Sequence, residues 1–392
     1  MLRSVALNLS VHRSHKFSLL LNQKAIEKQP DRPFWATTEI ICPRLWLYSL
    51  SNTRKTIEKQ SLEDFMNQFV LGLDIGYSNL KMAMGHKGEE VRTIVMPVGA
   101  GPLELMPQQL TGGAGTSIQV VINGEKWVAG VEPDRLQGWE RELHGDYPST
   151  NPYKALFYAV LLMSEQKEID VLVTGLPVSQ YMEVNRREAL KARLEGEHQI
   201  TPKRTVAVKS VVVVPQPAGA YMDVVSSTKD EDLLEIIQGG KTVVIDPGFF
   251  SVDWVALEEG EVRYHSSGTS LKAMSVLLQE TNRLIQEDYG GAPGIEKIEK
   301  AIRASKTEIF LYGEKVSIKD YFKKASTKVA QNALVPMRKS MREDGMDADV
   351  VLLAGGGAEA YQDAAKELFP KSRIVLPYES VASNARGFWF CG

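Results

Sequence analysis

Residues 243–254 read VVIDPGFFSVDW, and the interpretation of this stretch decides the fold. A β-branched apolar run ends at Asp246, a Pro-Gly pair turns the chain, and a second apolar run follows. An acid at a strand end beside a glycine turn can hold a phosphate group or its metal ion. Pro247 and Gly248 also suit the turn of a plain β-hairpin. The stretch by itself leaves both interpretations open.

The stretch has a counterpart at residues 70–84, which read VLGLDIGYSNLKMAM. Both copies have an apolar strand, an Asp, a Gly two positions later and a second strand. Asp74 lies in the first half of the chain and Asp246 in the second. A hairpin with an acid at its entry, once in each half, predicts two similar α/β domains that face each other.

Strand and helix patterns alternate from residue 66 to the C-terminus, which predicts an α/β protein with a largely parallel core sheet. The apolar segment that starts at Lys154 is too short to span a membrane and is typical of a buried helix. We interpret the polar segment 226–241 as a linker. His86, His144 and His265 have no partner spacing for a metal site or a catalytic triad.

The composition, 43% hydrophobic and 24% charged, is typical of a soluble protein with a core. A net charge of −3 gives no general attraction to nucleic acid or to an anionic membrane. The two cysteines, Cys42 and Cys391, stand at opposite ends and argue against a disulfide framework. These features indicate a cytoplasmic protein.

Residues 1–65 differ from the rest, because they are basic and show no sustained period of strand or helix. We interpret them as an N-terminal extension, either disordered or translated from upstream of a native start at Met66. A targeting segment is the alternative, although no compact apolar stretch with a cleavage-like end is present.

The turn in LDIGYSNLK has the composition of an anion-binding turn. Gly76 lets the backbone reverse sharply, and Lys81 adds a positive charge next to Asp74. Such a turn can direct successive N–H groups at one anion. A plain hairpin with turn-forming residues remains the alternative for this motif alone. The candidate ligands here are Gly76, Tyr77, Ser78, Asn79 and Lys81.

Two further motifs follow buried strands. Gly355, Gly356 and Gly357 join the strand VVLLA to a helix, and glycines there let a flat ligand or a diphosphate approach the backbone. Gln216 follows the strand VVVV, at the end of a strand where ligand crevices form in α/β proteins. Packing glycines and a polar residue in a Pro-rich turn are the alternatives.

Five segments in this order resemble the motifs of the actin–Hsp70–sugar-kinase superfamily. They are phosphate 1 (Asp74–Lys81), connect 1 (Pro215–Tyr221), phosphate 2 (Asp246–Asp253), adenosine (Val351–Ala358) and connect 2 (Ser380–Gly387). The resemblance covers about residues 66–392. Within the superfamily the chain is similar to bacterial plasmid-segregation actins of the ParM/StbA type, and to the PRTRC system protein D with its Asp-Pro-Gly-Phe-Phe loop.

The resemblance implies two similar actin-like (ribonuclease H-like) α/β domains with a nucleotide cleft between them. Domain I would span 66–225 and domain II 226–392, with a C-terminal helix at about 379–390 that returns to domain I. It implies a slow ATPase that binds Mg²⁺ and ATP and forms filaments with itself. A DNA-binding adaptor protein would link it to plasmid DNA, without direct contact to nucleic acid or membrane.

By the same resemblance, Asp74 and Asp246 would hold Mg²⁺ and its waters, and Gln216 would orient the attacking water. These three are the expected catalytic residues. The expected nucleotide-binding residues are Gly76, Tyr77, Ser78, Asn79, Lys81, Gly248, Phe249, Phe250, Gly355, Gly356 and Gly357.

The chain departs from the family pattern at three positions. Gln216 stands where ParM carries Glu, and Phe249 and Phe250 replace the usual Gly and Thr of phosphate 2. We therefore expect backbone amides to contact phosphate, while at least one ring packs away from the cleft. Two rings that fill the phosphate pocket would contradict an ATPase.

Two other functions remain open at the level of the sequence. A small-molecule kinase or phosphatase of the same fold needs a catalytic acid in the cleft, for which Asp146 and Asp170 are candidates. A nucleotide-gated binding protein without filaments needs no further motif.

Overall fold

The computed structural model describes residues 67–107, 117–342 and 348–392, in which strands and helices alternate as the sequence predicts. The predicted extension at residues 1–65 and the predicted start at Met66 lie outside the described residues. None of the helices within these ranges is long and apolar enough to cross a membrane.

The first half of the chain carries nine strands and four helices within the described ranges. The strands are β1 (Phe69–Ile75), β2 (Asn79–His86), β3 (Arg92–Pro97), β4 (Gly99–Pro102), β5 (Ile118–Ile122), β6 (Glu125–Val131), β7 (Glu168–Leu176), β8 (Gly196–Thr201) and β9 (Arg204–Pro215). The helices are α1 (Asn151–Met163), α2 (Val178–Tyr181), α3 (Val184–Leu194) and α4 (Gln216–Ser227).

The second half carries seven strands and six helices within the described ranges. The strands are β10 (Lys241–Pro247), β11 (Val252–Glu258), β12 (Glu261–Ser270), β13 (Glu308–Leu311), β14 (Glu314–Ser317), β15 (Val350–Leu353) and β16 (Arg373–Val375). The helices are α5 (Glu231–Gly239), α6 (Met274–Tyr289), α7 (Ile295–Arg303), α8 (Ile318–Ser340), α9 (Ala358–Leu368) and α10 (Ser383–Cys391).

The two main sheets share one topology. Their strand orders are β3-β2-β1-β7-β9-β8 and β12-β11-β10-β15-β16. In both, the first three strands pair antiparallel and the next two pairs are parallel. This confirms two similar α/β domains. The sheets are mixed, so the prediction of a largely parallel sheet is wrong, because the acid-bearing hairpins add antiparallel strands to each parallel core.

Strand β1 is buried on both faces, and its side chains alternate between two layers. Leu71 and Leu73 pack with α1 in the core of the first half. Val70 packs on the opposite face, against Ala385 and Trp389 of α10. This period of two is what a central strand between two helical layers requires. Helix α1 is the buried helix that the sequence predicts.

Helices α4 and α10 cross between the two sheets. Helix α4 packs Ala220 and Val224 against the second sheet, and α10 packs Phe388 against the first. The crossing is so close that a Cβ on Gly387 would lie 1.6 Å from the carbonyl oxygen of Gly219. The first residues of both helices therefore lie beside both acid-bearing hairpins. The division at residues 225 and 226 stays a prediction.

Four segments differ from the sequence prediction. The segment interpreted as a linker contains α5, because Asp230 accepts a hydrogen bond from Leu233 N–H and caps the helix. Leu233 and Ile237 then lie one turn apart and face the second sheet. The charged segment 181–195, whose pattern predicts one helix, contains the end of α2 and then α3. The mostly polar strand β8 and the β13–β14 hairpin, with strands of only four residues, are not predicted by the sequence pattern.

Candidate functional site

A cleft lies between the two halves and measures about 1130 Å³, counting space that is open to solvent. Every residue that the sequence predicts to bind nucleotide lines this cleft, as do Gln216 and Asp246. Asp74 does not line it, because its carboxylate lies behind the side chains of Lys81 and Gln216.

The two predicted hairpins have the same geometry. In the first, Asp74 pairs with Lys81 across β1 and β2, and in the second Asp246 pairs with Asp253 across β10 and β11. The turns also match. Gly76 N–H donates to the Asn79 carbonyl at 3.1 Å, and the N–H of Gly248 donates to the carbonyl of Ser251 at 2.8 Å. These equivalent turns confirm the correspondence that the sequence predicts.

Each turn presents two N–H groups that no described residue accepts. They belong to Tyr77 and Ser78 in the first turn and to Phe249 and Phe250 in the second. All four residues line the cleft. Successive N–H groups in a turn form a concave site for an anion, so both turns can bind phosphate oxygens through the backbone.

Two side-chain amides hold the two candidate carboxylates. Gln216, the first residue of α4, donates from Nε2 to Asp74 Oδ1 at 2.9 Å. Lys81 Nζ donates to Asp74 Oδ2 at 3.0 Å. Asn384 of α10 donates from Nδ2 to Asp246 Oδ2 at 2.6 Å. The sequence analysis missed the contribution of Asn384, although the residue lies within the connect 2 segment.

Burial, and then the nearby charge of Asp74, raise the pKa of Asp246 to about 7. Asp253 adds to this effect on the Asp246 pKa, whereas Lys81 opposes it. Asp74, Asp246 and Asp253 thus face a single lysine here, and a divalent cation would favour the ionised form of Asp246.

Asp253 joins the second hairpin to the first half of the chain. Its carboxylate accepts hydrogen bonds from Ser251 Oγ at 2.6 Å, Thr269 Oγ1 at 2.6 Å and Val178 N–H at 2.8 Å. Burial raises the pKa of Asp253. Asp253 is not among the predicted site residues, although its offset from Asp246 equals that of Lys81 from Asp74.

Phe249 and Phe250 point in different directions. Phe249 packs beside α6 and α7, with the Arg141 guanidinium 4.0 Å from the centre of its ring. Phe250 extends across the cleft, and its ring centre lies 4.7 Å from that of Tyr77. Both rings border the cleft, yet the cavity remains open with both in place. Phe249 therefore packs mainly on the second half, whereas Phe250 contacts the opposite turn within the cleft.

The glycine turn between β15 and α9 lies against the second hairpin. Gly355 has φ +78°, and a Cβ there would lie 2.0 Å from Asp246 Oδ1, so only glycine fits. Gly357 N–H donates to the Pro247 carbonyl at 2.9 Å. With Gly356, these residues form a wall of bare backbone next to Asp246, as the adenosine motif predicts.

Charged side chains connect the two halves at the cleft mouth. Arg141 NH2 lies 2.7 Å from Glu299 Oε2, and both side chains are buried. Ser78 Oγ also donates to Glu299, and Arg303 forms an ion pair with Glu132. These residues are distant in sequence, and no local pattern marks them. The resulting contacts hold α7 against the first hairpin.

The other candidates from the sequence lie outside the cleft. Asp146 is exposed and pairs with Arg186, and Asp170 accepts from Lys209 and from the Phe69 N–H. Neither lines the cavity, and His86, His144 and His265 do not line it either. In the described part of the chain, no three His, Cys, Asp or Glu side chains cluster as metal ligands.

The available ligands fit Mg²⁺, which also takes waters and phosphate oxygens. They do not fit a metal ion that is bound by protein side chains alone. Asp74 and Asp246 supply two carboxylates, and Mg²⁺ commonly takes one or two carboxylates together with waters and phosphate oxygens. Asp246 lines the cleft and could contact the ion, and a cation there would favour its ionised form. Asp74, behind Lys81 and Gln216, would act on the ion through one of its waters.

Two family models match the chain. One is described as actin like proteins N terminal domain and matches residues 72–219. The other is described as archaeal actin homologue MreB-like, C-terminal, and matches residues 244–367. No curated protein matches the chain.

Solved structures share the fold at low sequence identity. A pCBH ParM non-polymerisable quadruple mutant is 17% identical with a TM-score of 0.64, covering 82% of this chain and 98% of that one. The archaeal actin homologue Ta0583, in complex with ADP, is 18% identical with a TM-score of 0.64 and the same coverage. A 15-stranded ParM filament from Clostridium botulinum is 17% identical with a TM-score of 0.63, covering 83% and 98%.

Proposed function

This chain belongs to the actin-like superfamily, and we propose that it binds Mg-ATP in the cleft between its two halves. In this proposal it hydrolyses ATP slowly and forms filaments whose assembly depends on the nucleotide. The observation that carries the proposal is the pair of equivalent hairpins, each with an acid at its entry and two N–H groups at its turn. We retain the domain division near residues 225 and 226 as part of it.

The two turns would hold the phosphates from opposite sides. Tyr77 and Ser78 would contribute N–H groups from the first half, and Phe249 and Phe250 from the second. Lys81 would add a positive charge to the first turn. Backbone donors are fixed by the hairpins, so they need little reorganisation when charge develops on the phosphate.

Asp246 and Asp74 would hold the magnesium ion and its waters. When bound, the ion would supply positive charge to the phosphate oxygens. Contacts within the chain fix the two carboxylates: Gly355 has no Cβ where Asp246 Oδ1 lies, and Gln216 donates to Asp74 Oδ1.

Slow hydrolysis follows from the chemistry of Gln216. Its Nε2 donates to Asp74 Oδ1, which leaves Oε1 to accept a hydrogen bond from a water molecule. An amide oxygen orients that water but does not take up its proton near neutral pH. Gln216 would therefore provide no general-base catalysis, which is typically worth about 10²–10⁴-fold. The enzyme would act as a timer with low turnover.

Filament formation and plasmid segregation are proposed because this chain is similar to ParM proteins. One similar structure is a ParM filament, and another is described as a non-polymerisable ParM mutant. A net charge of −3 offers no general attraction to DNA, so a DNA-binding adaptor would connect the filament to its cargo. We place the protein in the cytoplasm, where such segregation occurs.

A metabolic kinase of the same fold is supported less well. Asp146 and Asp170, the acids considered for that role, lie outside the cleft and pair with basic residues. A nucleotide-gated binding protein without filaments would use the same cleft. Assembly measurements separate that function from the proposed one.

The test combines pelleting and light scattering with a parallel assay of phosphate release. Wild-type protein is compared in ATP, in ADP and without nucleotide, beside Asp246→Asn, which keeps the shape of the cleft but removes its metal ligand. We expect ATP-dependent pelleting with slow phosphate release in the wild type and neither in the variant. Hydrolysis stimulated by a small acceptor, without any pelleting, would overturn the filament proposal.

A further inference from the structure

Asn384 is held at both ends of its side-chain amide. Nδ2 donates to Asp246 Oδ2 at 2.6 Å, and Oδ1 accepts from the Ala220 N–H at 3.1 Å. A carboxylate can only accept and an N–H can only donate, so the two partners fix the orientation of the amide. Asn384 is 2% exposed and has no place among the residues that line the cleft. Asn384 therefore contacts Asp246 from the side away from the cleft.

The position of Asn384 depends on the crossing of α4 and α10. Gly219 approaches so closely that a Cβ there would lie 2.6 Å from the Asn384 carbonyl oxygen. Gly387, one turn further along α10, also lies against the backbone of Gly219. Asn384 therefore connects the crossing of these two helices to the acid of the second hairpin.

The first hairpin has a parallel arrangement. Gln216 begins α4 and donates its side-chain amide to Asp74, and Asn384 near the start of α10 donates its amide to Asp246. Ala220, one turn after Gln216, donates its N–H to the oxygen of the Asn384 amide. The two carboxylates are thus joined through two amides and one turn of α4. Their separation is set by the helix crossing.

We propose that Asn384 is a positioning residue for the magnesium ion, because it fixes the carboxylate of Asp246 relative to that of Asp74. The proposal rests on the proposed binding of Mg-nucleotide in the cleft. Hydrogen bonds behind a metal ligand orient it, and their loss typically costs about 10–100-fold in metal affinity. Asn384 contributes nothing to the phosphate turns, so nucleotide binding without metal does not depend on it.

The experiment measures the binding of fluorescently labelled ADP as Mg²⁺ is titrated, and again in excess EDTA. The variant is Asn384→Ala, with Asn384→Leu as a second variant that leaves a smaller cavity. We expect the half-saturating Mg²⁺ concentration to rise about 10–100-fold in the variants. ADP affinity in EDTA should stay at the wild-type value. A purely structural role would weaken both.

Ser383→Ala is the matched control. Ser383 is fully buried next to Asn384 and donates to Asp223 Oδ2 at 2.7 Å, so it supports the same helix crossing without touching Asp246. We expect this variant to lose thermal stability and keep the wild-type Mg²⁺ dependence. An equal rise in Mg²⁺ requirement for Ser383→Ala and Asn384→Ala would overturn the assignment, as would wild-type Mg²⁺ dependence in folded Asn384 variants.

Failure of the proposed function has a different signature. If wild-type protein does not bind ADP with Mg²⁺ present, or binds it identically in EDTA, the magnesium-nucleotide proposal itself fails. If the wild type requires Mg²⁺ and the Asn384 variants require it at the same concentration, only the role of Asn384 fails.

Discussion

The two hairpins that face each other across the cleft have the same backbone and different charges at one position. In the first, Asp74 pairs with Lys81, and in the second the equivalent partner of Asp246 is another acid, Asp253. The first hairpin neutralises its acid internally, through a contact of 3.0 Å. The second hairpin does not neutralise its acid, because the residue opposite Asp246 is also an acid.

Because of this difference, the two hairpins have different roles in the site. The first hairpin brings a cation of its own to the phosphates, whereas the second has an acid and no basic residue opposite Asp246. Burial, and then the charge of Asp74, raise the pKa of Asp246 to about 7, so its ionised form needs a cation nearby. Asp253 is occupied with Ser251, Thr269 and Val178, so it stabilises the cleft without offering a free ligand. A bound cation is therefore required mainly at Asp246.

The largest effect is expected from Asp246→Ala. Charge stabilisation by a metal amounts to several kcal/mol in phosphoryl transfer, so phosphate release should fall by about a hundredfold or more. The control is Asp170→Ala, which removes an acid outside the cleft that pairs with Lys209. Wild-type phosphate release in Asp246→Ala would contradict the metal-ligand role.

Lys81→Met tests the internal neutralisation of the first hairpin. Removing one partner of a buried ion pair costs about 3–5 kcal/mol, because the other charge is left unpaired. We expect a loss near the lower end of that range in the free energy of unfolding, since Lys81 is 12% exposed. Chemical denaturation without nucleotide measures it.

Lys209→Met is the matched control for Lys81→Met. Lys209 also contacts two acids, Glu168 and Asp170, but it is half exposed, and exposed ion pairs contribute little to stability. The account requires the Lys81 variant to lose clearly more stability than the Lys209 variant. Equal losses would mean that the first hairpin does not depend on its own cation.

The second hairpin should make the stability of the nucleotide-free protein depend on pH. The pKa of Asp246 is about 7 when folded and about 4 in an unfolded chain. Between these values the folded protein holds a proton that the unfolded chain has lost, so this group stabilises the fold less as pH rises from about 4 to 7. Denaturation of wild type and Asp246→Asn across that range measures the effect. The variant should show a smaller loss with rising pH, and parallel curves would contradict the charge imbalance.

The smallest effect is expected from Phe250→Ala. The tilted ring contact with Tyr77 should contribute about 1 kcal/mol beyond burial to the free energy of unfolding. Nucleotide affinity should change little, because the proposed phosphate contacts are backbone N–H groups. Phe310→Ala, at a ring that is 60% exposed, is the control for loss of an aromatic residue. Loss of nucleotide binding in Phe250→Ala alone would mean that the ring itself forms part of the phosphate site.

Much of the fold could be predicted from local sequence patterns. A β-branched run, an acid and a glycine turn occur twice, and the structure gives both copies the same pairing and the same turn. The glycine turn at Gly355–Gly357 also follows its strand as predicted. The predicted site residues other than Asp74 line one cleft, because each lies in a turn or at a strand end that its own sequence specifies.

Other features depend on contacts between distant segments. Asn384 reaches Asp246 only because two helices cross at glycines, and Arg141 meets Glu299 across the cleft mouth without any shared motif. Asp253 was within reach of sequence reasoning, since it stands at the offset where the first hairpin has Lys81. Aligning the two copies residue by residue would have identified it.

The central claim is that the two hairpins bind nucleotide phosphates with a magnesium ion between Asp74 and Asp246. Calorimetric titration of ATP into the wild-type protein, with Mg²⁺ and with EDTA, tests it most directly. The account predicts saturable binding of one ATP per chain with Mg²⁺ and much weaker binding in EDTA. Absence of binding, or the same affinity under both conditions, would contradict it.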